Sequence, residues 1–151
     1  MVIPPQLIGA WKLLFINVTN STSEYEPIPL GVITFTSGGY MNAMITNPDV
    51  AKPLENGTTW KNASDAQLGH IARPMVAYSG PYTVEYDGND TYTHVDVMVS
   101  MDPSWVGTNQ KRHATFEEKD GQDFMSLIPV ASGTFSPSTL IWSKIAAATG
   151  T

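Results

Sequence analysis

Residues 92–118 read YTHVDVMVSMDPSWVGTNQKRHATFEE, and their alternation of polar and apolar side chains predicts two β-strands joined by a turn. Side chains along a strand point alternately to its two faces. One face of the first strand therefore carries Tyr92, His94, Asp96, Met98 and Ser100. Residues 102–108 have Pro near their start and Gly near their end, which predicts the turn. The stretch thus predicts a hairpin with one strongly polar face.

The register of this hairpin decides which side chains share a surface, and we predict it by pairing Met101 with Asn109. In that register one surface collects the polar groups of both strands, namely His94, Asp96, Gln110 and Arg112. Asp96 and Arg112 become diagonal neighbours within reach of each other. A slip of one residue would exchange the two faces. We predict that this surface lines an enclosed space. The opposite face, turned outward, carries Val95, Val97 and Val99.

The composition describes an ordinary globular chain. A length of 151 residues allows a sizeable core, with 42% of the residues hydrophobic and 15% charged. The net charge of −6 and the lack of a basic stripe argue against nucleic-acid binding. The absence of cysteine excludes disulfides, thiolate nucleophiles and cysteine-ligated zinc. We expect one domain spanning residues 1–151, with no nucleic-acid partner.

The N-terminal sequence MVIPPQLIG lacks the basic and apolar regions of a signal peptide. No run in the chain approaches the ~20 apolar residues that a membrane-spanning helix needs. The absence of cysteine also fits a reducing compartment. We therefore expect a cytoplasmic protein with no membrane partner.

Most of the remaining chain predicts β-strands connected by turns. The predicted strands are residues 7–18, 31–36, 39–46, 78–86, 123–129 and 139–146. Loops are predicted at 20–29 and 132–138. Ser64 and Gln67 form a capping-box pattern before an apolar stripe, which predicts one helix over residues 64–73. About eight antiparallel strands close most easily into a barrel that can hold one small ligand, and an open sandwich is the alternative fold.

Five segments of the chain resemble the small lipocalin-like domain family of bacteria and fungi. They are GAW at 9–11, GYM at 39–41, AYSGPYTV at 77–84, PSWVGTNQKR at 103–112 and LIW at 140–142. The resemblance implies an up-and-down barrel with an internal cavity. In fungi such proteins often occur beside natural-product pathways, and members and relatives include cofactor-free isomerases and cyclases as well as plain binding proteins. Where the family often has two adjacent histidines and then V-E, this chain has Thr93, His94, Val95 and Asp96.

His94 and Asp96 would supply the minimum for proton transfer if both face the cavity. Imidazole titrates near neutrality, and a carboxylate can fix its tautomer. Arg112 can hold an enolate or carboxylate of a ligand, or it can pair with Asp96, since a buried cation needs a partner. We predict catalytic roles for these three residues. The alternative is a buried polar network that only fixes the geometry of the barrel.

A cavity for an irregular apolar ligand would be lined by aromatic, methionine and polar side chains. The predicted substrate-binding residues are Tyr40, Asn42, Met44, Tyr78, Tyr82, Met98, Ser100, Trp105 and Gln110. Trp11 and Trp142 are interpreted as structural. The sequence has no metalloprotease, hydrolase or glycine-rich nucleotide motif, so we expect neither a metal nor a cofactor.

These observations predict a cofactor-independent isomerase or cyclase that acts on a hydrophobic polyketide or terpenoid intermediate. The barrel would template the substrate, and acid–base groups would move a proton. A dehydratase would need the same groups and is not distinguished. The alternatives are a non-catalytic carrier of a small hydrophobic ligand and a barrel filled by its own side chains. Outward-facing valines would need a cover, which either the helix at 64–73 or a second subunit in a homodimer could provide.

Overall fold

The computed structural model describes residues 2–18, 29–131, 134–135 and 138–147. Within them the chain forms ten strands and one α-helix. The strands are β1 (Gly9–Val18), β2 (Leu30–Phe35), β3 (Tyr40–Thr46), β4 (Val76–Asp87), β5 (Asp90–Asp96), β6 (Val99–Ser100), β7 (Asn109–Lys119), β8 (Gln122–Ala131), β9 (Thr134–Phe135) and β10 (Ser138–Lys144). The helix α1 is Asp65–Ala72. The predicted loops at 20–29 and 132–138 fall largely outside the described residues.

Eight long strands form one closed antiparallel barrel. Their order is β10-β1-β2-β3-β4-β5-β7-β8, and β10 also pairs with β8, which closes the ring. The two-residue strands β6 and β9 pair with β4 and β8. Closure leaves no long unpaired edge among these eight strands. The predicted eight-stranded antiparallel barrel with one short helix is confirmed.

The helix begins at the predicted capping box. The Ser64 hydroxyl accepts a hydrogen bond from the Gln67 amide at 3.2 Å, and the Gln67 side chain accepts one from the Ser64 amide at 2.9 Å. These bonds satisfy N–H groups that have no partner in the first helical turn. None of the residues of α1 is buried, so the helix lies on the surface of the barrel. In the described part of the chain, no helix has the length and apolar character needed to cross a membrane.

One end of the barrel is filled by its own side chains. Trp11 is fully buried, and its indole N–H donates to the Leu7 carbonyl at 3.0 Å. The Tyr82 hydroxyl donates to the Thr36 carbonyl at 2.7 Å, and the Tyr82 ring packs edge-on against Phe35 with 5.1 Å between centroids. This end forms a solid floor. Tyr82, predicted to bind substrate, belongs to that floor.

The register of the β5–β7 hairpin differs from the prediction. Asp96, not Met101, pairs with Asn109, which is a displacement of five residues. Because five is an odd number, the faces of β5 are exchanged relative to β7. The predicted inward orientation of His94 and Asp96 is therefore wrong. Arg112 lies on the inner face of the sheet, whereas His94 and Asp96, which were predicted to share its surface, lie on the outer face.

Burial explains which face of β5 turns inward. The inward side chains are Thr93, Val95 and Val97, each at most 4% exposed. Burying valine is favourable, whereas burying an imidazole and a carboxylate costs free energy unless both are paired. The predicted outward orientation of Val95 and Val97 is wrong for this reason. The alternation ends at a bulge, where the pairing with β4 shifts by one residue between β5 and β6 and both Met98 and Val99 are exposed.

Candidate functional site

The end of the barrel opposite the floor contains a cavity of about 460 Å³. Its wall is mostly apolar and includes Ile33, Ile45, Val76, Leu127, Leu140 and Trp142. These residues come from β2, β3, β4, β8 and β10, and alternation along each strand turns them inward. A volume in the range of ~300–1,000 Å³ is typical of sites for small molecules. The barrel is therefore closed at one end and hollow at the other.

Arg112 is the only charged residue among the described residues that line the cavity. Its Nη1 donates to the Lys111 carbonyl at 2.9 Å, and its Nη2 lies 3.4 Å from Oε1 of Gln110. The Gln110 amide in turn donates to the Thr108 hydroxyl at 2.9 Å, which fixes the orientation of the Gln110 side chain. Among the described residues, no carboxylate lies within ion-pair distance of the guanidinium. Arg112 is thus positioned by neutral acceptors and not neutralised.

Tyr78 lies beside Arg112 in the cavity wall. Burial raises the pKa of the Tyr78 phenol, while the charge of Arg112 and a hydrogen bond from it act in the opposite direction. The phenol therefore stays protonated at neutral pH and can donate a hydrogen bond. Its ring meets Trp105 edge-on, with 5.2 Å between centroids. Tyr78, Arg112 and Trp105 together form a polar, aromatic region in a mostly apolar cavity, which we call the polar pole.

Two polar atoms in residues of the cavity wall are buried without a hydrogen-bond partner among the described residues. They are Oγ1 of Thr46 and Nε1 of Trp142. A buried polar atom without a partner costs about 1–3 kcal/mol, so native proteins contain few of them. Trp142 is 1% exposed and packs in the core, as its structural interpretation expects, but its indole N–H remains unsatisfied.

The outer face of the hairpin holds a separate polar network. The ring nitrogens of His94 contact the Glu85 carboxylate and, at 3.0 Å, Oδ1 of Asn109. The Asn109 amide donates to Asp96 at 2.8 Å, and the Lys111 ammonium contacts Glu85 at 3.2 Å. The hydrogen bonds from His94 and then from Lys111 lower the pKa of Glu85. These groups satisfy one another on the side of the sheet away from the cavity.

The predicted substrate-binding residues separate into three groups. Tyr78 and Trp105 line the cavity, whereas Tyr82 lies in the floor. Side chains on the outer surface are Tyr40, Asn42, Met44 and Met98, so their predicted place in the cavity wall is wrong. Ser100 pairs with Tyr78 across β6 and β4, and its hydroxyl accepts a hydrogen bond from the Asp102 amide at 3.1 Å. The Gln110 side chain accepts a hydrogen bond from Arg112 and does not line the cavity.

Several cavity residues were not predicted. Those that matter most are Ile45, Thr46, Val76, Leu127 and Leu140. A signal for some of them exists in the sequence. On β3, choosing Met41 and Ala43 as the inward face would also place Ile45 inward, and these two residues are at most 3% exposed.

Two comparisons with known proteins agree with this architecture. The family model described as "Lipocalin-like domain" matches residues 8–145. A 4'-hydroxy-3'-methoxypropiophenone carrier protein of Aspergillus oryzae is 30% identical over 110 residues, which cover 70% of this chain and 96% of that protein. The residues matched by the family model, 8–145, include all eight barrel strands and the cavity wall that they form. The chain therefore belongs to the lipocalin-like domain family.

Proposed function

We propose that this protein binds one molecule of a small, largely apolar natural product inside its barrel. The observation that carries this proposal is the cavity of about 460 Å³, with mostly apolar walls and the polar pole around Arg112. Apolar walls favour binding of a hydrophobic ligand by removing its surface from water, and a few polar groups fix its orientation. The similarity to a carrier of 4'-hydroxy-3'-methoxypropiophenone, which is by its name an aromatic ketone, supports the proposal.

Binding without chemistry is favoured because the described cavity wall holds no general base. Its titratable groups are Tyr78 and Arg112. A phenol whose pKa is raised by burial and a guanidinium are both protonated at neutral pH. His94 cannot serve as the base for a ligand in the cavity, because it lies across the sheet on the outer face.

A cofactor-independent isomerase or cyclase is the second candidate, and the placement of Tyr78 beside Arg112 favours it. A guanidinium can stabilise an enolate that forms on a substrate, and a neighbouring phenol can donate a hydrogen bond to the same oxygen. The cavity would hold a reactive substrate in one shape. In this proposal Arg112 and Tyr78 stabilise the enolate oxygen, which is a role that the sequence suggested for Arg112. Because neither group is a base, the proton that leaves the substrate carbon passes to water.

A fluorescence titration with N-phenyl-1-naphthylamine tests the binding proposal. This neutral aromatic probe should bind to the wild-type protein and emit more strongly. Leu140→Trp, which fills the cavity, should weaken binding at least tenfold. Val32→Trp adds the same ring to an exposed position on β2, and His94→Ala removes the outer imidazole; both should bind within twofold of wild type. Equal binding by Leu140→Trp and Val32→Trp would contradict the proposal.

Recovery of a bound compound separates the two candidates. The protein is incubated with 4'-hydroxy-3'-methoxypropiophenone, and the extracted compound is compared with the starting material by chromatography and mass spectrometry. A carrier returns it unchanged. For any compound that is converted, loss of conversion in Arg112→Gln with binding retained would favour the enzyme.

A further inference from the structure

We propose that the ligand carries an acidic oxygen, as a carboxylate, phenolate or enolate, and that this oxygen forms an ion pair with Arg112. The inference rests on the proposed function and adds to it the chemical class of the ligand. It starts from the charge balance of the cavity.

The cavity wall contains a cation and no described anion. The guanidinium of Arg112 has five N–H groups, and its acceptors are the Lys111 carbonyl at 2.9 Å, Oε1 of Gln110 at 3.4 Å and the Tyr78 hydroxyl. All three acceptors are neutral. Removing a guanidinium from water costs free energy that only an opposite charge at close range can offset well. Arg112 is therefore a partly desolvated charge with no counter-charge among the described residues.

The nearby carboxylates Glu85 of β4 and Asp96 of β5 cannot supply the missing charge. Asp96 accepts a hydrogen bond from Asn109, and Glu85 contacts both His94 and Lys111. All of these groups lie on the outer face of the sheet. Because Arg112 points to the inner face, a pairing of Arg112 with Asp96 is excluded. A ligand in the cavity can approach the guanidinium from the inner side.

Tyr78 completes a site for an oxygen anion. Its phenol remains protonated, so it can donate to the same ligand oxygen that Arg112 contacts. The edge-on packing of Trp105 against Tyr78 adds aromatic surface beside this position. A charge-assisted hydrogen bond is stronger where water is excluded. A neutral ligand of the same shape would leave the cation unpaired and should bind more weakly.

Two isosteric ligands test this inference, 2-naphthoate and 2-acetonaphthone. They share one ring system and differ in carrying a carboxylate or a methyl ketone. Each is used to displace N-phenyl-1-naphthylamine from the wild-type protein at pH 7. We expect 2-naphthoate to bind at least tenfold more tightly than 2-acetonaphthone. Equal affinities for the two ligands would overturn the inference.

The variant Arg112→Gln should weaken 2-naphthoate at least tenfold and leave 2-acetonaphthone within threefold. Lys111→Gln is the matched control, because it removes one positive charge from the adjacent residue on the outer face. It should leave the preference for 2-naphthoate intact. A preference that survives in Arg112→Gln, or is lost in Lys111→Gln, would show that the anion is not held by Arg112.

The neutral probe keeps the two proposals separate. Binding of N-phenyl-1-naphthylamine with no preference for 2-naphthoate would overturn the acidic ligand and retain the binding cavity. No binding of the probe would overturn the proposed function itself. If Arg112→Gln does not fold, Arg112→Lys provides the second variant. It keeps the charge but loses the planar fork, so its preference for 2-naphthoate should be reduced and still present.

Discussion

The inner and outer faces of the barrel wall at the β5–β7 hairpin satisfy their polar groups differently. On the outer face, Glu85 of β4 contacts both His94 and Lys111, and solvent reaches all three side chains. On the inner face, Arg112 has no carboxylate partner among the described residues. The outer network is complete without any other molecule. The inner face is incomplete, and that makes the inner face the better candidate for ligand binding.

The energetic consequence of the two arrangements also differs. Exposed ion pairs contribute little to stability, because water solvates the separated charges almost as well. An unpaired polar group in a cavity costs more, and it persists in proteins mainly where function requires it. The polar atoms of Thr46 and Trp142 add to this imbalance on the inner side. A cluster of paired histidine and carboxylate groups is therefore weaker evidence for a site than one unpaired cation.

The largest effect on stability is expected at Gly80 of β4, which lies against the end of β5, where the inward and outward alternation of the hairpin ends. A Cβ atom at Gly80 would lie 1.9 Å from the carbonyl oxygen of Asp96, at the end of β5. That overlap is far shorter than van der Waals contact, so Gly80→Ala must displace β5 or the bulge that follows it. We expect a loss of stability of about 3 kcal/mol or more. Urea unfolding followed by tryptophan fluorescence measures it.

Gly69→Ala is the matched control for that substitution. Gly69 lies within α1, and a Cβ atom there would meet no atom within 4 Å. Alanine in a helix is favoured over glycine, so we expect unchanged stability or a gain of about 0.5–1 kcal/mol. If Gly80→Ala were as stable as wild type, the close approach of β5 to β4 would be wrong, and so would the separation of the two hairpin faces.

Local features of the sequence were sufficient to predict most of the fold. The Ser64 and Gln67 pair lies within four residues, and the barrel strands follow from alternation and turn residues over short windows. The hairpin register depends on longer contacts. Val97 donates to the Thr108 carbonyl at 3.0 Å and accepts from Gly107 at 2.9 Å, and these bonds set the pairing beyond the turn. No local pattern reveals them.

The candidate site was predicted only in part, because it too depends on contacts between residues that are distant in the sequence. Arg112 and Tyr78 were identified as ligand-contact candidates from their residue types, and both line the cavity. The inward placement predicted for His94 follows from the assumed pairing of Met101 with Asn109, although the valines beside it have the stronger preference for burial. The unsatisfied hydroxyl of Thr46 depends on which side chains surround it in three dimensions. Strand alternation cannot predict that a buried hydroxyl lacks a hydrogen-bond partner.

A smaller effect on stability is expected at Thr46, a neutral residue of the inner wall. Thr46→Val replaces a buried hydroxyl that has no partner among the described residues with a methyl group of similar size. Removing an unsatisfied buried polar atom should raise the stability of the ligand-free protein by about 1 kcal/mol. Thr115→Val makes the same change at an exposed position of β7 and should alter stability by less than about 0.5 kcal/mol. Urea midpoints of both variants decide the matter. A loss of stability in Thr46→Val alone would show that the hydroxyl has a partner.

The smallest effect is expected on the outer face, and it should depend on pH. Hydrogen bonds from His94 and Lys111 hold the pKa of Glu85 below its ordinary value of 4.5. A carboxylate whose pKa is lower in the folded state stabilises the protein above its unfolded-state pKa, and this contribution disappears as the pH falls through the folded-state pKa. Glu85→Gln should therefore be slightly less stable than wild type at pH 7 and as stable as wild type once the pH has fallen below the folded-state pKa of Glu85.

Glu118→Gln is the control, because Glu118 is an exposed carboxylate on β7 with no ion pair among the described residues. The difference in stability between Glu118→Gln and wild type should not disappear toward acid in this way. Urea midpoints from pH 7 to pH 3 measure the difference, and a gap that widens toward acid would contradict the assignment. Because Glu85 lies outside the barrel, both variants should keep the affinity for N-phenyl-1-naphthylamine, so any parallel loss of binding would mean that the two faces are coupled.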